Sequence, residues 1–203
     1  MKKWIGLVLG VALIAVSGVS HAQFGGMVSS FMGGSQKGGV SAEAIVQKYV
    51  QGSKDVMTAD VHLLNALGLK EQADKESLAI KNLTEGATAS GLEDATKVQT
   101  ESSQALAARM KEKNVVMDEQ SKQVYSIGLL HLAKGIIQYT SLVSDLKNFE
   151  PDLASIGSAG NAALYVGKSL PESSTNLINT LKNAVSFARE NQISVPKEAT
   201  DLL

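Results

Sequence analysis

His62 and His131 are the residues of this chain best suited to acid–base or metal chemistry, since His21 is the one other histidine and cysteine is absent. A metal site needs at least three ligands converging on one point. Neither histidine has a second His, Asp or Glu at i+4 to build a two-ligand helical face, and Asp60, two residues before His62, falls on the other side of a helix. No metal and no cofactor is therefore expected. His131 draws notice because Gly128 stands at i−3 and Gly135 at i+4, leaving bare backbone on both sides of the imidazole. Two uses fit that pattern. The glycines open a space where His131, with Tyr125 and Tyr139, meets a ligand, or they let a neighbouring helix cross closely while His131 hydrogen-bonds a local partner.

Other chemical constellations fail on spacing. Lys37-Gly38-Gly39-Val40-Ser41 has the residue types of a phosphate-binding loop, but nothing upstream reads as a strand and no Gly-Lys-Ser/Thr follows. Serine is plentiful without a G-x-S-x-G elbow. Asn82-Leu83-Thr84 is a three-residue glycosylation match of the kind that chance supplies. Glu71 with Asp74, and Glu93 with Asp94, lie on polar helical faces and read as solvated early-turn carboxylates rather than an acid/base pair. The sequence predicts no catalytic residues and no enzyme.

The first 22 residues read as a secretory signal peptide. Lys2 and Lys3 form the positive region, Trp4 to Val16 the apolar region, and Ser20-His21-Ala22 the small-residue cleavage site. The full apolar stretch, Ile5 to Val19, is shorter than the roughly 20 residues that span a bilayer and is broken by Gly6, Gly10 and Gly18. The protein is expected to be exported, to the periplasm or beyond the cell. With Lys2 and Lys3 removed, the count of 19 basic against 20 acidic residues becomes 17 against 20, and only Arg109 and Arg189 are arginines. Nucleic-acid readers need clustered arginine and a positive field, so a nucleic-acid partner is excluded.

Residues 23–40 form a glycine-rich segment without helical or strand period, read as a flexible arm. Phe24, Met27, Phe31 and Met32 are spaced so that a short amphipathic turn forms against a partner or a membrane surface. Membrane contact is expected only through this arm or an uncleaved leader; otherwise the arm is a spacer that exposes the cleavage site.

From residue 41 to 203 the chain reads as one helical domain. Ser41 is an N-cap with Glu43 in the first turn. Ile45, Tyr49, Gly52, Val56, Ala59, Leu63 and Ala66 then repeat at gaps of four and three, beside a second seam of Val46, Val50, Ser53, Met57, Asp60, Leu64 and Leu67. Gly68 stops this helix. A second, about 70–83, takes its apolar side from Ala73, Leu78, Ala79 and Leu83. A third, about 92–113, buries Ala95, Val98, Leu106 and Met110 and is otherwise an outer, polar helix. The fourth, about 118–149, carries Tyr125, Leu129, Leu132, Ile136, Tyr139, Val143 and Leu146, widened by Leu130, Ala133, Ile137 and Leu142, and is expected at the centre. Residues 152–169 are rich in Ser, Ala and Gly and read either as a short packed helix or as a connection. Pro171 separates them from a last helix over about 173–190.

The fold class is thus an all-α antiparallel bundle of about five main helices behind a leader and an arm. With no chemical constellation, the expected function is protein–protein interaction, as an accessory, adaptor or chaperone-like factor whose partner is another envelope protein. A second reading is a carrier or sensor of an apolar small molecule or lipid, held between helices near His131, Tyr125 and Tyr139.

Overall fold

Ser41 caps the first helix, its hydroxyl accepting the Ala44 amide at 3.2 Å, and α1 runs Ala42–Ala66. A computed structural model describes residues 40–112, 114–149 and 157–203. The leader, and residues 23–39 with Phe24, Met27, Phe31 and Met32, lie outside them. Every residue of both α1 seams is buried. The helix ends where Gly68 adopts φ 79°, with the Leu69 amide bonded to the Leu64 carbonyl at 2.8 Å and the Gly68 amide to Asn65 at 3.1 Å. That double bond pattern requires a left-handed residue, which glycine adopts without a Cβ penalty.

Four further helices and one short turn follow: α2 (Lys70–Asn82), α3 (Ala89–Met110), α4 (Glu119–Leu146), α5 (Ser158–Glu190) and α6 (Lys197–Thr200). The described residues contain no strand. Thr88 and Asp118 cap α3 and α4 through their side chains, accepting the amides of Gly91 at 3.2 Å and Ser121 at 2.7 Å.

Cross-helix contacts fix the arrangement. Lys48 meets Asp145, Ser53 meets Tyr139, and Leu63 covers Gly128, so α1 and α4 run antiparallel in one register. Tyr125 reaches the Ala184 carbonyl while Gly167 lies beside Leu146, which makes α4 and α5 antiparallel as well. α1, rather than α4, is the hub: it packs against α2, α3, α4 and α5, whereas α4 packs mainly on α1, α5 and α6. Its two adjacent seams give α1 a broader buried face than α4, whose Ile137 is half exposed.

Two elements depart from the periodicity reading. α5 is continuous from 158 to 190 and carries Pro171 inside it. Pro171 cannot bond the Gly167 carbonyl, but both residues are exposed to solvent, while Val166, Leu170 and Leu177 stay buried on the inner face. On α2 the expected Ala73 and Leu83 are buried and Ala79 packs against the core, but Leu78 is 59 % exposed and Glu76 is buried instead. α3 likewise buries Gln99 and Ser102 along with Leu92, Ala95 and Leu106.

Candidate functional site

The α1–α4 register brings the two described histidines together. The rings of His62 and His131 stack with centroids 5.5 Å apart and planes 19° from parallel. Asp55, two turns before His62 on α1, places Oδ1 3.6 Å from His131 Nδ1 and accepts Gln138 Nε2 on its other oxygen at 2.6 Å. His131 Nδ1 is buried without a hydrogen-bond partner. Burial, and then the charge of His131, hold the His62 pKa below the usual imidazole value. Among the described residues no three His, Asp or Glu side chains converge as metal ligands would. Spacing rules within one helix cannot find this cluster, because its members come from two helices.

Gly128 and Gly135 lie where α1 and α4 cross. A Cβ at Gly128 would come 2.8 Å from the Leu63 side chain, and one at Gly52, on the facing helix, 2.8 Å from the Tyr139 ring. The space over the glycines is thus occupied by Leu63 and Val56. Tyr139 stacks on Tyr49 at 5.3 Å and shares a 2.7 Å hydrogen bond with Ser53. Tyr49 and Tyr165 both reach Thr96 Oγ1, at 3.3 and 3.0 Å. Since Thr96 gives its own proton to the Leu92 carbonyl at 2.9 Å, both phenols donate to it. Tyr125 turns the other way, donating to the Ala184 carbonyl at 3.1 Å with its ring against Phe187. Burial raises the pKa of Tyr125, Tyr139 and Tyr165 above the ordinary phenol value. Tyr125, Tyr139 and Tyr165 thus stay protonated at neutral pH and brace the helices through their hydroxyls.

The most unusual group was not among the sequence candidates. Asp60 of α1 and Glu76 of α2 are both fully buried. Ser102 of α3 donates to Glu76 Oε2, while Glu76 Oε1 and both Asp60 oxygens have no partner. Burial, then the neighbouring Glu76, raises the Asp60 pKa well above the carboxylate range. Burial also pushes Glu76 up to about 7, against the opposing pull of the Ser102 hydrogen bond. Asp60 is legible as a member of a buried seam; Glu76 is not, because its burial depends on the rotation of a weakly patterned helix.

Beside this cluster, α2 and α3 enclose an open groove of about 360 Å³. Ala79, Leu83, Ala95 and Val98 line it, Leu78 projects from one wall, and Lys75 and Asp94 stand on opposite rims. Comparison with known proteins finds no matching family model, no similar curated protein and no similar solved structure.

Proposed function

We propose that this chain is an exported helical-bundle protein of the periplasm that acts by binding another envelope protein, without catalysis, and that the α2–α3 groove receives an amphipathic helix of that partner. The groove carries this reading. It is apolar at its floor and leaves Leu78 59 % exposed, and burying a leucine side chain is worth about 1.5–3 kcal/mol. A helix laid between two helices, with its apolar face inward, is a common mode of recognition. Lys75 on the α2 rim and Asp94 on the α3 rim would select an acidic residue on one edge of the incoming helix and a basic one on the other. The leader-like residues Lys2 to Ala22 support export, and no helix of the described residues is long and apolar enough to cross a membrane. An apolar ligand held near His131 has less support, since Leu63 and Val56 fill the space over the glycines.

The test is a photo-crosslinking residue at Val98 in cells producing the full chain, with the exposed position Lys182 as control. An adduct formed from Val98 and not from Lys182, mapped to an amphipathic helical segment and lost in Leu78→Asp, is the expected result. Equal adducts from both positions, or insensitivity to Leu78→Asp, would reject the docking surface. Intact-mass spectrometry of the same material shows a chain beginning at Gln23, as glutamine or its pyroglutamate, if the leader is removed at Ala22.

A further inference from the structure

α2 is held by little apolar surface. Its fully buried residues are Ala73 and Glu76, with Leu83 at its C-cap. Glu76 is thus the largest fully buried side chain within the helix, where Ala79 and Ile80 are partly buried against the core. We propose that Asp60 and Glu76, buried in protonated form with Ser102 bonded to Glu76, act as a clasp that holds α2 on the bundle and releases it when the two carboxyls lose their protons.

The surroundings of the pair leave protons as its means of neutralisation. On α1 the basic group closest in sequence to Asp60, His62, stacks on His131, which itself faces Asp55. On α2, Lys75 turns to Glu71 at 3.2 Å, and Lys70 and Lys81 are exposed. On α3, Lys97 and the acids Glu93, Asp94 and Glu101 are exposed, and Arg109 is spent on the Leu67 carbonyl and on Glu112. On α5, Lys168, Lys182 and Arg189 are exposed. The charge acting on Asp60 is that of Glu76 itself. Two ionised carboxylates without a cation, with three of their four oxygens lacking a donor, cannot persist in an apolar interior; such groups neutralise or leave. Protonated, each carboxyl sheds the charge that burial penalises and gains a hydroxyl donor.

The direction of the pH dependence follows. Both carboxyls bind protons more tightly folded than unfolded, so their contribution is complete below the ordinary carboxyl range. It is lost as pH rises through the folded values, for Glu76 about 7. The loss falls on α2 first, because Ala73 and Leu83 are the apolar residues it buries fully, Ala79 and Ile80 being only partly buried, and Gly68 separates it from α1.

Amide hydrogen exchange on the full chain, corrected for the intrinsic pH dependence of exchange and read as the ratio of α2 to α4, tests this. The ratio is expected to rise about tenfold between pH 6 and pH 8.5, as one buried proton is given up, and to stay flat in Glu76→Gln. Asp60→Asn serves if Glu76→Gln does not fold. A wild-type ratio independent of pH, or a rise that persists unchanged in the folded variant, would overturn the clasp. So would protection of α2 at pH 8.5 by millimolar Mg²⁺ or Ca²⁺, since it would show that a cation, not a proton, neutralises the pair.

Discussion

Val56 Cγ2 lies 2.5 Å from the position a Cβ on Gly135 would occupy, and the Val56 amide nitrogen lies 3.1 Å from it. Because backbone as well as side chain blocks the site, the helices must separate to admit a methyl group. Gly135→Ala is expected to lower stability by about 1–3 kcal/mol through overpacking. Gly86→Ala, with nothing within 4 Å, should leave it nearly unchanged. Urea denaturation of both variants gives the comparison.

Ser53 and Tyr139 share a buried 2.7 Å hydrogen bond across the same crossing. Ser53→Ala leaves the Tyr139 hydroxyl buried without that partner, at a cost of about 1–3 kcal/mol, whereas removing both groups in Ser53→Ala with Tyr139→Phe should cost less than the sum of the singles. A double-mutant cycle measured by chemical denaturation shows the coupling; strictly additive losses would mean that the bond contributes nothing.

His62 works against the carboxyl clasp. Its pKa is lowered by burial and by the charge of His131, so the unfolded chain takes the proton first as pH falls. The contribution of His62 is therefore present above the ordinary imidazole value and lost as pH drops through its lower folded value. In His62→Gln this opposing effect disappears, and the fall in stability from pH 5 to pH 7 should become steeper than in the wild type. Denaturation midpoints at the two pH values decide it.

Pro171 interrupts one hydrogen bond of α5 at a position where it and Gly167 are exposed. Pro171→Ala restores the bond to the Gly167 carbonyl and should stabilise by about 1–3 kcal/mol, less the greater freedom of the unfolded chain. Thermal unfolding followed by far-ultraviolet circular dichroism shows the gain as a higher Tm.

The strongest patterns translate directly into packing. All residues of the paired seams from Ile45 to Leu67 are buried, because a helix touched by four others buries whatever its apolar stripe contains, Asp60 included. Weak patterns do not determine rotation. In α2 the expected side of Ala73, Leu78, Ala79 and Leu83 leaves the rotation loose: Ala73, Glu76 and Leu83 are buried and Ala79 and Ile80 partly so, while Leu78 is exposed. Pro171 reads as a boundary from local chemistry alone, yet inner-face burial on both sides of it sustains one helix. His62 with His131, and Asp60 with Glu76, share no local spacing at all; the antiparallel register of α1 with α4 brings the first pair together, and the second lies on two helices, α1 and α2, that pack on each other.

The face of α1 that carries Gly52, Val56 and Leu63 is covered by α4, whose last residue, Leu146, follows Ala66 by 80 positions. At a synthesis rate of about 5–20 residues per second, a nascent α1 waits roughly 4–16 s for its cover to emerge. During that interval its apolar seams are open to chaperones and to other nascent chains. A polypeptide halted before Leu146 keeps them open for as long as it survives.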